Sequence, residues 1–281
     1  MARICLGRGE PDGIDLHYVS AGHGPVILLV HGLGGFAESW RQTLEALEPH
    51  SRTIALDLPG FGQSGKPDRP YTLGFFAQVL EELLEALGVG RIRLVGHSLG
   101  GAVALAFALA HPERVERLAL LAAAVPGFPL RPSLVYRLMS VPGVGEFFSI
   151  FVTRGICAAA LRRCFVNPQP EEIAFLVGHQ YAARTTPEGR AAYLATLRGV
   201  REAFTVQAPI YRSALADWDR PTLMIHGRQD PVVPLGHAEV AARAIRRLDA
   251  RWLDGCGHFP QIEHGAIVNG WLVEFLLTGA G

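Results

Sequence analysis

Ser98 stands in Gly96-His97-Ser98-Leu99-Gly100, a G-x-S-x-G run between a short apolar stretch and an Ala-rich one. On a tight strand-to-helix turn, a β-carbon at Gly96 or Gly100 would collide with adjacent backbone, so the two glycines suit a nucleophile presented at the apex. A serine hydroxyl is a weak nucleophile at neutral pH. It needs a histidine within roughly 2.6–3.2 Å to take its proton, and an acid to fix that imidazole's tautomer. Of the 11 histidines, His258 is the best placed, in the loop Asp254-Gly255-Cys256-Gly257-His258 after an apolar run. Asp230, in Gly227-Arg228-Gln229-Asp230-Pro231, is the preferred acid, and Asp254 is its rival at a strand end only four residues from the histidine. The simpler use of Ser98 is as a helix N-cap.

These residues need elements that bring them to one edge. Strand-like runs at 14–20, 26–30, 53–58, 91–95, 117–121, 221–226 and 250–253 alternate with helical patterns at 73–87, 99–110, 236–248 and 262–277. Wholly apolar strands such as 26–30 are those covered on both faces. Within 73–87, Phe76, Val79, Leu80, Leu83, Leu84 and Leu87 recur at helical spacing, and Gly88 follows as a stop. The alternation predicts an α/β fold with a doubly wound, mostly parallel sheet, whose ligands bind at the carboxyl ends of its strands. Between 126 and 206 the rhythm breaks into proline-punctuated amphipathic helical pieces with no convincing strand. The expected organisation is a core from 1–125, a helical cap insertion at 126–206, and the rest of the core at 207–281. The pieces around Phe147, Phe148, Phe151, Phe165, Phe175 and Tyr181 read as the core of that insertion, with some surface facing Ser98 if it is a lid.

Composition narrows the function classes. The chain has 281 residues, 49% hydrophobic and 19% charged, and its 26 Lys+Arg balance its 26 Asp+Glu. Neutrality supplies no electrostatic footprint for a phosphate backbone, so no nucleic-acid partner is expected. The N-terminal sequence MARICLGRGE lacks the charged and apolar regions of a secretory signal, and a cytoplasmic location is expected. The charge-free stretch 94–112 approaches the ~20 residues of a membrane span, but its serine turn and Ala-rich remainder fit a buried core helix better. Cys5, Cys157, Cys164 and Cys256 contain no C-x-x-C pair, and no Asp, His or Glu grouping has metal-ligand spacing. Neither a metal nor a cofactor is implied. Gly60-Phe61-Gly62-Gln63-Ser64-Gly65 spells the dinucleotide fingerprint, yet Pro67 and Pro70 follow where that motif must open a helix.

The order Ser98, Asp230, His258 is that of α/β-hydrolases. His31-Gly32-Leu33-Gly34-Gly35, Asp57-Leu58-Pro59-Gly60-Phe61-Gly62-Gln63-Ser64, Gly96-His97-Ser98-Leu99-Gly100-Gly101, Gly227-Arg228-Gln229-Asp230 and Gly257-His258-Phe259 each match a signature of that superfamily in the same order. Over essentially its whole length the chain resembles the esterase, lipase and carbon–carbon hydrolase branch of that superfamily. The resemblance implies an oxyanion hole formed by the backbone N–H groups of Leu33 and Leu99. Donors of this kind are each worth about 2.7–4 kcal/mol in another hydrolase.

Relatives that open epoxides or remove halide place Asp at the nucleophile position, which Ser98 excludes here. Hydrolases of ring-fission products use serine. They usually carry tryptophan where this chain has Phe259, and Gly-Pro-Gly where it has Leu33-Gly34-Gly35. The expected function is therefore a carboxylic ester hydrolase acting on short to medium apolar acyl esters through an acyl-enzyme. Carbon–carbon hydrolysis and a cofactor-free perhydrolase or haloperoxidase-like activity are the alternatives, and a non-catalytic receptor is the remaining one. A histidine that must be neutral to act predicts a hydrolysis rate that falls as pH drops through ~6–7. A flat profile from about pH 5 to 8 would remove His258 as the base.

Overall fold

The computed structural model describes residues 1–7 and 13–278. Eight strands form one sheet in the order β1-β2-β4-β3-β5-β6-β7-β8. They are β1 (Ala2–Leu6), β2 (Ile14–Ala21), β3 (Val26–Val30), β4 (Arg52–Leu56), β5 (Ile92–His97), β6 (Val115–Leu121), β7 (Thr222–Gly227) and β8 (Leu248–Leu253). β2 runs antiparallel to β1 and β4, and every other pair is parallel. The helices are α1 (Arg41–Leu47), α2 (Leu73–Ala86), α3 (Leu99–Ala110), α4 (Leu134–Met139), α5 (Val144–Ile150), α6 (Arg154–Arg162), α7 (Pro170–Arg184), α8 (Pro187–Gly199), α9 (Ala208–Asp217), α10 (Leu235–Ala242), α11 (Pro260–Glu263) and α12 (Gly265–Leu277).

The apolar strands are explained by helices on both faces. Along β3, Leu28 and Val30 enter the core under α2 and α3, while Ile27 and Leu29 enter the opposite core with α1 and α12. β6 divides in the same way, Leu118 and Leu120 on one side and Ala119 and Leu121 on the other. Along 27–30 and 118–121 each strand residue thus finds an apolar layer, and no alternation of polar residues is left to read there. α3 is sheathed so completely that nearly all its residues are buried.

Two elements give no periodic signal in the sequence. β1 is a five-residue edge strand with only Leu6 buried, and the seven residues of α1 bury just Thr43, Leu44 and Leu47, too few turns for a pattern to register. The single helix expected at 262–277 is α11 and α12, separated at His264, and the helix expected to reach residue 248 ends at Ala242.

After β3 the chain goes to β4 on one side, then returns to β5 on the other. Such a switch of direction opens a crevice at the carboxyl ends of the two strands. Four segments meet along that edge: 31–35 after β3, Ser98 after β5, 228–230 after β7 and 254–258 after β8. α4 to α8 lie between β6 and β7. Phe165 is buried there as expected, whereas Phe147, Phe148 and Phe151 are exposed rather than part of a core.

Leu80 of α2 is fully buried against the main core. Leu80→Ala is expected to cost about 2–5 kcal/mol in a urea titration, the usual range for a leucine whose space cannot collapse.

Candidate active site

Ser98 has φ 55° and ψ −118°, one of two non-glycine residues with positive φ among those described. The surroundings hold it there. Its N–H donates to the Leu121 carbonyl at 3.0 Å, and its own carbonyl accepts from Gly101 and Ala124 at 3.0 and 3.2 Å. A β-carbon at Gly96 would lie 2.3 Å from the Gly100 carbonyl oxygen, and one at Gly100 would lie 2.2 Å from that of Val30. The glycines are therefore required by close approach of β5, α3 and β3. Ser98 makes no side-chain cap to α3, so the N-cap use of its hydroxyl does not occur.

The hydroxyl instead meets His258, with Ser98 Oγ 2.9 Å from Nε2. His258 Nδ1 lies 2.7 Å from Asp230 Oδ2. A carboxylate can only accept, so Nδ1 carries the proton and Nε2 is left to accept from the serine. The other oxygen of Asp230 accepts the Val232 and Val233 N–H groups at 2.8 and 3.0 Å. Burial by itself would raise this carboxyl, but the His258 and His226 rings and the Val233 N–H outweigh it and hold the group below its ordinary value. Asp254, the rival acid, is exposed and paired with Arg228 at 3.1 Å.

Leu99 follows Ser98 directly, and Leu33 follows Gly32, which approaches Ser98 closely. The turn after β3 is closed by Gly35 N–H donating to the Gly32 carbonyl at 2.9 Å and by His31 Nδ1 donating to the same oxygen at 2.7 Å. None of the turn's hydrogen bonds among the described residues uses the Leu33 N–H. Leu99 is the first residue of α3 and has no intrahelical acceptor for its own. A β-carbon at Gly32 would stand 3.0 Å from that of Ser98, which fixes how closely the two segments approach. Two unspent donors beside a hydroxyl that a histidine can deprotonate suit the addition of that oxygen to a carbonyl carbon.

Several further groups position the site. His97 donates from Nε2 to the His258 carbonyl at 2.7 Å. The Cys164 carbonyl, from the helical insertion, accepts the His258 N–H at 2.7 Å. Glu263 collects the N–H groups of Gly257 and Val166 at 2.9 and 2.7 Å, joining the histidine loop to the insertion. Phe259 stacks on Phe165 at 4.8 Å with an interplanar angle of 6°. Backbone acceptors and long-range carboxylates carry no spacing rule, so only the last pair could have been suspected from residue type.

The segment with the dinucleotide spelling does something else. Gly60 N–H donates to the Gly65 carbonyl at 2.8 Å, closing a loop, and no helix starts before Leu73. That loop clasps Asp57, whose carboxylate accepts from Ala37 N, Gln63 N and His17 Nδ1 at 2.6, 2.7 and 2.9 Å. His17, Glu38 and Asp57 place ligand-type atoms within 4.8 Å of one another, a grouping that sequence spacing did not reveal. With three N–H donors already on it, the Asp57 carboxylate is accounted for as a structural acceptor.

The α/β hydrolase fold family matches residues 25–154. The 2-hydroxymuconate semialdehyde hydrolase of Pseudomonas sp. strain CF600 is 31% identical over 268 residues, covering 94% of this chain and 91% of that protein. The 2-hydroxy-6-oxo-6-(2'-aminophenyl)hexa-2,4-dienoic acid hydrolase of Metapseudomonas resinovorans is 30% identical over 90% of this chain and 84% of its own. Among solved structures, the 2-hydroxy-6-oxo-6-phenylhexa-2,4-dienoate hydrolase of Rhodococcus sp. strain RHA1 aligns with a TM-score of 0.82 at 25% identity, covering 98% of each chain. The chain belongs to the α/β-hydrolase fold superfamily, and these relatives within it are hydrolases.

Burial, and then the charge of His258, holds the His97 ring far below its ordinary value of 6.5, at about 3. An unfolded chain takes up this proton below 6.5 while the native ring stays neutral down to about 3, so native stability falls as pH drops through that window. His97→Gln keeps an N–H for the His258 carbonyl and removes the titration. It is expected to shrink the drop in urea midpoint between about pH 7 and 4.5. An undiminished drop would mean that His97 does not contribute to acid lability.

Proposed function

We propose that the protein is a serine hydrolase that cleaves a carbon–carbon bond in a 2-hydroxy-6-oxo-dienoate ring-fission product. The observation that carries the reading is the line Ser98–His258–Asp230, at 2.9 and 2.7 Å, in a chain matched over most of its length by hydrolases of such compounds. The substrate is a vinylogous acid. Ketonisation puts a proton on the carbon next to the C6 carbonyl, so addition to that carbonyl can expel a resonance-stabilised dienolate. His258 takes the Ser98 proton as Oγ adds, and the Leu33 and Leu99 N–H groups receive the oxyanion. Collapse breaks the carbon–carbon bond, the dienolate leaves with a proton, and water activated by His258 releases the acid from Ser98. Asp230 keeps the imidazole in the needed tautomer and stabilises its charged form.

A dienoate also brings a carboxylate that needs a cation. Arg184 of α7 lies 3.7 Å from the centre of the Tyr193 ring and acts electrostatically on Tyr136 and on the Cys157 thiol. No carboxylate among the described residues pairs with it. We assign it to the substrate carboxylate.

Ester hydrolysis is the second reading, and Phe259 favours it. Ring-fission hydrolases usually place tryptophan there, with an N–H to donate, whereas the phenyl ring donates nothing and packs on Phe165 and His97 at 4.8 and 4.9 Å. A pocket with one polar donor fewer suits an apolar acyl group.

The test compares a 2-hydroxy-6-oxo-dienoate with p-nitrophenyl acetate, butyrate and octanoate. Ser98→Ala is expected to lower turnover on every substrate by roughly 10³-fold or more. Arg184→Ala should raise KM for the dienoate several-fold and leave the uncharged esters alone. Rapid ester turnover without dienoate cleavage would replace the first reading with the second, and a Ser98→Ala variant as active as the wild type would end both.

A further inference from the structure

The exposed apolar side chains are concentrated on one part of the molecule. Nine of the fifteen large ones among the described residues fall between Leu134 and Ile156. Leu134, Val135 and Leu138 follow the i, i+1, i+4 spacing of one face of α4, and Phe147, Phe148 and Phe151 follow it at α5 and its end. Phe147 is 58% exposed and Ile150 66%, although Phe147 packs edge to face with Phe148 and Phe151. The inner sides of these helices are otherwise occupied: Met139, Gly145 and Ser149 are buried. The outward residues are therefore a second apolar face, of a kind that soluble monomers rarely leave in water.

Charge decides what covers it. From residue 118 to 170 the chain carries Arg131, Arg137, Arg154, Arg162 and Arg163, all exposed, and a single acid, Glu146. That carboxylate is taken by Arg198 at 2.8 Å. The whole chain is neutral, so this excess of cations is local. A second copy docked on the same face would oppose arginines to arginines with no free acid between them. An anionic lipid surface answers both features, because phosphate groups meet the arginines while the phenylalanines and leucines enter the acyl boundary.

The geometry fits lying on a bilayer rather than crossing it. No single helix among the described residues is long and apolar enough to span. α5 and α6 together reach that composition, but they bend by 108° where they meet, and Arg154 and Arg162 belong to the second. Short, bent, apolar helices with exposed arginines close by in sequence, one of them, Arg154, also lying over the Tyr181 ring at 5.0 Å, have the form of interfacial anchors. We propose that the α4–α5–α6 face is a docking surface for anionic lipid bilayers, with the apolar side chains of α4 and α5 inserted and the arginines on the head groups.

The experiment is co-sedimentation of the full chain with extruded vesicles of phosphatidylcholine alone or mixed with phosphatidylglycerol, at low and high salt. The chain is expected to bind the anionic vesicles roughly ten-fold or more better than the zwitterionic ones, and to lose most of that preference at about 0.5 M salt. Phe147→Ser, Phe148→Ser and Phe151→Ser combined should abolish binding. Arg131→Gln with Arg137→Gln should weaken it on anionic vesicles alone. Circular dichroism and turnover of a soluble ester are expected to match the wild type in both variants, separating lost docking from lost folding and leaving the reading of the active site untouched. Absence of vesicle binding, or equal binding to both vesicle types, overturns the proposal. So does a concentration-dependent dimer that the triple substitution dissolves while vesicle binding stays unchanged.

Discussion

A β-carbon at Gly96 would lie 2.3 Å from the Gly100 carbonyl oxygen, one at Gly100 2.2 Å from that of Val30, and one at Gly101 2.4 Å from the Ala123 side chain. β5, α3, β3 and the segment after β6 are thus packed backbone to backbone around one turn. This closeness holds Ser98 at a φ of 55°, which a serine does not adopt unaided and which costs of order 1–3 kcal/mol. The rest of the site depends on that constraint. It turns the hydroxyl out of the sheet towards His258 and leaves the Leu99 N–H free at the start of α3. It also brings the turn after β3 close, with a β-carbon at Gly32 only 3.0 Å from that of Ser98. Relaxing the turn would lose the placement of the Ser98 hydroxyl and of the neighbouring Leu99 N–H together.

Much of this could be read from residue types because the constraint acts through composition. Glycines two residues either side of a serine, after an apolar strand, mark a turn where backbones approach too closely for any side chain. β3 and α3 are legible to the residue, because burial on every side leaves nothing but apolar residues between sharp turns. The expectations failed where an element is short or one-sided, as in β1 and α1. They failed differently in the insertion. Phe147, Phe148 and Phe151 read as core by residue type, yet burial depends on which neighbours arrive, and among the described residues nothing covers the face they occupy. The Cys164 carbonyl and Glu263 were not legible, since each acts across more than 90 residues on a backbone atom.

Those unread contacts change how the insertion relates to the chemistry. The Cys164 carbonyl accepts the His258 N–H, Glu263 reaches both Val166 and Gly257, and Phe165 stacks on Phe259. A second tie joins α7 to the turn after β3, where Phe36 stacks on His179 at 4.4 Å and Gln180 would meet a β-carbon at Gly34 at 3.1 Å. Helices α6 and α7 are therefore tied to two segments next to Ser98, the histidine loop and the turn after β3. α4 and α5 make the outer part of the insertion and carry the uncovered apolar face.

Electrostatics at this edge follow from the same burial. His31, His97, His226 and His237 are all buried, and burial is the largest influence pushing each of them down. Kept neutral, His31 joins Gly32 to Leu58 and His237 joins Val125 to Pro129 as donor and acceptor, while His226 and His97 each donate from Nε2, to the Val233 and His258 carbonyls. None of them adds positive charge near His258. Asp230 meanwhile stays ionised, because rings and backbone donors favour its charged form over the cost of burying it. If Ser98 hands its proton to His258 as proposed, the imidazolium meets one fixed negative charge at Asp230 and no competing cation among these rings. Neutral histidines around a single ionised acid are thus the electrostatic counterpart of the glycines around the serine: both leave one residue free to change state while its surroundings do not.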